Sequence, residues 1–196
     1  MRNQNVIKLT MAGLLIAIGV IIPMFSPLRI IIEPASYTLA SHVVIFIAMF
    51  ISTSMAALVV FGTTLGFFLG GFPIVVVLRA ASHIIFATLG SFYLHKVSKK
   101  PLSTIQLRIF SFCIAIIHAA SEVVVVGLFY FGGHLGAAFY EQTFLMSVLL
   151  LVGFGSVIHS MVDFEIARIV ILPLKKQPAL AQLFKTSSGR LPSSPV

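Results

Sequence analysis

A succession of apolar runs, broken only by clusters of Pro, Gly and Lys, limits what this chain can fold into. The chain is 59% hydrophobic and 9% charged, where a soluble domain is nearer ~45–50% apolar and ~25% charged. That excess does not fit inside one water-exposed core, so the natural solvent is a bilayer. The expected fold class is an all-α integral membrane protein, a bundle of six transmembrane helices. Helices are expected over residues 6–25, 38–53, 54–71, 73–95, 105–131 and 143–172. The second is short for the ~20 residues that a crossing needs, so it sits at the membrane edge or is shielded by its neighbours. Residues 1–175 form the membrane domain, and residues 176–196, polar and rich in Pro and Ser, form a flexible cytoplasmic tail. The first run, Val6 to Phe25, lacks an A-x-A-type site and leads into more membrane sequence, so no cleaved signal is expected.

Charge placement sets the orientation. With six spans, the side of the termini receives eleven basic residues, from Arg2 and Lys8 through the lysines at 96–100 to Arg190, and the other side only Arg29. That asymmetry puts both termini in the cytoplasm. It also accounts for the net charge of +8, which in a soluble protein would suggest nucleic acid; no nucleic-acid partner is expected here. The lone cysteine, Cys113, excludes an internal disulfide. No ATP-binding Gly-rich loop with lysine occurs.

Small residues recur at fourfold spacing. Gly62, Gly66 and Gly70 share a face of helix 3, where internal packing is the first expectation. Gly13 and Ala17, with Ala12 beside them, fit internal packing or a docking face for another membrane subunit equally well.

Charged groups at membrane depth are costly, about 2.5–3.5 kcal/mol each on insertion scales, and tend to face a cavity, a partner or a ligand. In "VVVLRAASH", Arg79 lies roughly 9 Å below the outer end of helix 4, with His83 one turn deeper on its face. On helix 5, Glu122 lies roughly 14 Å down, with His118 one turn deeper. The two helices are joined by a short loop and are expected to be neighbours. An Arg79–Glu122 ion pair that only staples helices fits this pattern. So does an outward-open pocket in which Arg79 holds an anionic solute through its planar fork of donors. The two can coexist. His83, His118 and Glu122 are suitable metal ligands, but single histidines on separate helices are weak grounds, and no metal or other cofactor is expected. Asp163, Glu165 and Arg168 are expected on a solvated or interfacial face, and His159 is expected to be a packed residue. Ser156 and His159 lack a third group for hydrolysis, so the chain is not expected to be an enzyme.

The segment "SPLRIIIEPASYTLASH" joins helices 1 and 2. Its prolines stop a helix and its isoleucines are too apolar for a free loop. It folds down either as a surface hairpin or as a lid, bringing Glu33, Tyr37 and His42 to the pocket mouth. His134, Tyr140 and Glu141 offer a second rim.

The small-residue pair of helix 1, the long first loop and the six-helix pattern resemble the substrate-binding S components of energy-coupling factor (ECF) vitamin transporters, over about residues 5–172. "MAGLLIAIGVIIPMFSP", "IIEPASYTLASHVVIFIAMFIS" and "GTTLGFFLGGFPIVVVLRAASHIIFATLG" are similar to the niacin-specific type. Gly13 stands where the family pattern A-x-x-x-A has its first alanine. The resemblance implies a multi-pass protein of the bacterial cell membrane that captures a vitamin, nicotinate or alternatively pantothenate. It implies partners too: a transmembrane coupling subunit docking on helix 1, and two cytoplasmic ATPases. It also implies that Arg79, His83 and Glu122 lie close to the ligand, beneath the first loop. A stand-alone secondary transporter is the alternative from another class, but the paired repeats and broken helices such carriers show are not visible.

Overall fold

The structure is a computed structural model that describes residues 2–32, 35–98 and 102–184. It is all-helical apart from one hairpin. The elements are α1 (Arg2–Phe25), β1 (Arg29–Ile32), β2 (Ala35–Thr38), α2 (Val43–Ile51), α3 (Thr53–Leu69), α4 (Ile74–Phe92), α5 (Thr104–Phe131), α6 (Gly155–Lys176) and α7 (Pro178–Ala181). A π-helical turn, Tyr93–Val97, extends α4, and a π-helical stretch, Leu145–Phe154, leads into α6. Among the described residues, four helical stretches are long and apolar enough to cross a membrane: Gln4–Phe25, Ile74–Val97, Thr104–Phe131 and Leu145–Lys176. Phe25, Phe61, Phe68, Leu128 and Phe131 are each more than half exposed, which suits a surface solvated by lipid rather than water. The chain is a multi-pass membrane protein.

Local chemistry sets the boundaries. Ser52 breaks the chain between α2 and α3 and caps α3 by accepting from the Met55 N–H at 3.1 Å. Gly71, at φ +74, makes the turn into α4. Ser103 and Gln106 form a reciprocal capping box that starts α5. α1 and α3 run parallel and close: a Cβ on Gly62 would strike Ile16, and one on Gly66 would strike Val20. These glycines are used for internal packing. Gln4 and Gln182 bond side chain to side chain, so the two ends of the described chain meet at one end of the bundle.

Every residue of α2 is buried, which decides for shielding by neighbours. The helix is shorter than the expected 38–53, because residues up to Thr38 belong to β2 and residues 39–42 form a turn. That turn places Ala40 at φ 68. α2 starts level with His83, whose ring centroid is 4.7 Å from that of His42. It ends level with Ser91 and His95, which both donate to the Met49 carbonyl at 3.0 Å. It therefore fills only half the depth of the bundle. The other half of its column holds the hairpin and a cavity.

The start of the tail also departs from expectation. α7 turns the chain back, and Leu183 and Phe184 are buried in the main core, because two large apolar side chains gain more there than in water. Residues 185–196 of the expected flexible tail lie outside the described residues.

Candidate functional site

The cavity above α2 has a volume of about 360 Å³, within the range of small-molecule sites. Phe67 and Phe72, stacked at 4.7 Å, line one wall with Ile45 and Val76. The polar part of the lining is Tyr37, Ser41, His42, Arg79, Glu122 and His159.

Arg79 and Glu122 are brought together. Arg79 Nε donates to Glu122 Oε1 and Nη2 to Oε2, each at 3.0 Å. This is a bidentate, charge-assisted pair. Nη1 takes no part in it, and the Arg79 side chain keeps 23% exposure toward the cavity. The pair and the cavity therefore coexist. Ser156 donates to Glu122 Oε2, which commits its hydroxyl to holding a carboxylate. His83 Nε2 and His118 Nε2 lie 3.5 and 3.6 Å from Glu122 Oε1.

A second carboxylate organises the turn at the start of α2. Asp163 is fully buried, not on a solvated or interfacial face as its sequence position suggested. It accepts from the Ala40 N–H at 2.8 Å, the His42 N–H at 2.9 Å and His42 Nδ1 at 3.1 Å. It caps the start of α2, where His42 at the N-cap provides no side-chain bond of its own. The helical stretch from Leu145 runs to Lys176, so Asp163 sits near its middle. Ser156, His159, Ser160 and Asp163 recur every three or four residues, and that polar stripe on one helical face is the sequence signal that marks them. Glu165 does lie at the surface, half exposed and paired with Arg168 at 2.6 Å.

Tyr37 reaches from β2 and donates to the Leu151 carbonyl. Burial raises its phenol above the usual value, with Arg79 opposing, so it remains a neutral donor at physiological pH. Its hydroxyl fits only because residue 155 is Gly: a Cβ there would collide with the phenol oxygen and ring. Gly155→Val is expected to unseat Tyr37 and weaken ligand capture about 10-fold or more, on the loss of one buried hydrogen bond and its packing. Binding titration checks this, and unchanged affinity would leave Tyr37 without a part in capture.

The relationship to known proteins completes this picture. The chain is 41% identical over 167 residues to "Niacin transporter NiaX" of Lactococcus lactis subsp. cremoris (strain MG1363), covering 85% of this chain and 73% of that protein. This chain belongs to the NiaX family. The resemblance to niacin-type S components holds. No family model matches the chain, and no solved structure does.

In this NiaX-family chain, four histidines converge at the cavity: His42, His83 and His159 line it and His118 is fully buried behind them. The His42 ring lies 4.7 Å from His83, 4.6 Å from His118 and 5.0 Å from His159. His83 and His118 are 4.8 Å apart. His42, expected at the mouth, stands at the centre. His159, expected to be only packed, lines the cavity and meets Ser41 Oγ at 3.0 Å. The ligand atoms of His42, His83, His118 and Glu122 lie within 4.8 Å of one another, as do those of His42, His159 and Asp163. Glu33 lies outside the described residues. His134, Tyr140 and Glu141 do not line the cavity; the Tyr140 hydroxyl instead donates to the Tyr130 carbonyl at 3.1 Å. On α1, Gly13 and Ala17 are exposed and a Cβ on Gly13 would meet nothing, whereas Ala12 is buried in the bundle.

Proposed function

We propose that this chain is the niacin-binding S subunit of an ECF-type transporter, a carrier subunit rather than an enzyme, in a bacterial cell membrane. The observation that carries the reading is the 41% identity to a niacin transporter, together with a cavity whose chemistry suits the solute. Nicotinate is a flat aromatic ring bearing one carboxylate. The Phe67 and Phe72 wall provides a surface for the ring. Arg79 Nη1, outside the bond to Glu122, provides donors for the carboxylate. Tyr37 and Thr38 of β2 cover the solute, His83 and Glu122 line the cavity beside Arg79, and His118 supports them from behind, fully buried. Glu33 belongs to the same hairpin segment in sequence.

The remaining parts follow from charge and surface. Six passes with both termini in the cytoplasm satisfy the one-sided distribution of lysine and arginine. The face of α1 with Gly13 and Ala17 is smooth enough for a transmembrane coupling subunit to approach backbone to backbone, and two cytoplasmic ATPases would supply the energy. Ala12 faces inward and supports that surface from behind.

Detergent-purified chain alone is expected to bind labelled nicotinate, with pantothenate failing to displace it. If pantothenate or another vitamin binds instead, the substrate assignment is wrong. Gly13→Leu with Ala17→Leu is expected to leave nicotinate binding intact and abolish uptake in cells that supply the other subunits. Persistent uptake would remove α1 as the docking face.

A further inference from the structure

We propose that His42, His83, His118 and Glu122 form a binding site for a divalent first-row transition-metal ion of the Zn²⁺ or Co²⁺ class at the edge of the cavity, where all but His118 belong to its lining. This goes beyond the niacin reading and does not depend on it. It also departs from the expectation, drawn from the sequence, that no metal is held.

The donor set is the first argument. Three imidazoles and one carboxylate come from the start of α2, from α4 and from α5, and their ligand atoms lie within 4.8 Å of one another. Nitrogen and carboxylate oxygen are the ligands such ions prefer. With Zn–N near 2.0–2.1 Å, tetrahedral ligand atoms stand roughly 3.3 Å apart, so small side-chain rotations close the set.

An unpaired group is the second argument. His118 is fully buried, yet neither of its ring nitrogens makes a hydrogen bond. Burying such a group without a partner is costly. Its Nε2 stands 3.6 Å from Glu122 Oε1, the oxygen that His83 Nε2 faces at 3.5 Å. A metal ion at that convergence would engage both rings.

The supporting shell is the third argument. With His42 Nδ1 donating to Asp163 at 3.1 Å, the lone pair is left on Nε2. A carboxylate behind a ligating histidine is the usual device for fixing its tautomer and orientation. Arg79 and Ser156 likewise fix Glu122. Charge points the same way. With the imidazoles in their neutral, ligating form, the carboxylates of Glu122 and Asp163 outweigh the single guanidinium of Arg79, and that imbalance favours a cation.

The full chain, carrying no histidine tag and stripped with a chelator, would be titrated with Co²⁺ in detergent. The expected result is one Co²⁺ per chain, with the intense visible bands of a tetrahedral nitrogen–oxygen site, displaced by Zn²⁺. His83→Gln and His118→Asn would each remove a ligand and weaken binding. Asp163→Asn keeps all four ligands and is expected to cost about 10–100-fold in affinity. Absence of stoichiometric Co²⁺ in monodisperse, helical wild-type protein would overturn the proposal. So would undiminished affinity in folded ligand variants. Nicotinate binding to the stripped chain separates the two readings. A chain that binds nicotinate but not Co²⁺ has no metal site, and one that binds Co²⁺ but not nicotinate retains the site and loses the niacin assignment.

Discussion

Arg79→Ala is expected to abolish nicotinate binding and to lower stability by about 3–5 kcal/mol, the usual cost of removing one partner of a buried ion pair. Both losses come from the same group. Its Nε and Nη2 satisfy Glu122, which is 3% exposed, while the rest of the guanidinium faces the cavity. A single substitution therefore mixes two effects. The double replacement Arg79→Ala with Glu122→Gln separates them, because it removes the uncompensated carboxylate. The double variant should regain most of the lost stability and still fail to bind. Recovery of binding in the double variant would reduce Arg79 to a brace between α4 and α5. Arg79→Lys keeps the charge but loses the two-pronged contact, and should fall between wild type and Ala in thermal stability.

Asp163→Ala is expected to release the turn that leads into α2 and carries His42 into the cavity lining. The carboxylate holds two backbone N–H groups and one imidazole within 3.1 Å. Each donor left without a partner in a buried setting costs about 1–3 kcal/mol. Two further costs fall on the same turn: Ala40 sits at φ 68, a left-handed conformation that a residue with a side chain enters at about 1–2 kcal/mol, and the start of α2 loses the carboxylate that holds it. Amide hydrogen exchange should speed up over residues 38–44 far more than in α5, and nicotinate affinity should fall. Uniform exchange across the chain, with no local acceleration, would mean that Asp163 does not hold the turn.

What the sequence discloses depends on the range of the interaction. Arg79 and Glu122 stand out because a charge inside an apolar helix has few explanations, and the fourfold spacing of Gly62 and Gly66 is a local signal for a close helix contact. The start of α2 was not legible, since the group that caps it lies 121 residues away on α6. No local signal, for the same reason, carries His42 to the centre of the histidine cluster. Asp163 reads as near a helix end when the helix is taken to stop at residue 172. The helix continues to Lys176, and its leading stretch is π-helical. Leu183 and Phe184 carry no signal of their own because they sit in a polar context, and only the fold shows that the main core receives them.

A nine-residue helix that touches no lipid has a consequence for biogenesis. Insertion machinery recognises segments by length and greasiness, and α2 falls well short of the ~20 residues needed to be retained as a span. Nothing in the bilayer holds it until its neighbours are present, and its contacts with α4 and α6 are supplied by chain synthesised later. Its arrival should therefore come late in maturation, after the surrounding helices are laid down. A ribosome-bound chain that ends before α6 should leave Val43–Ile51 open to protease, and the completed chain should not.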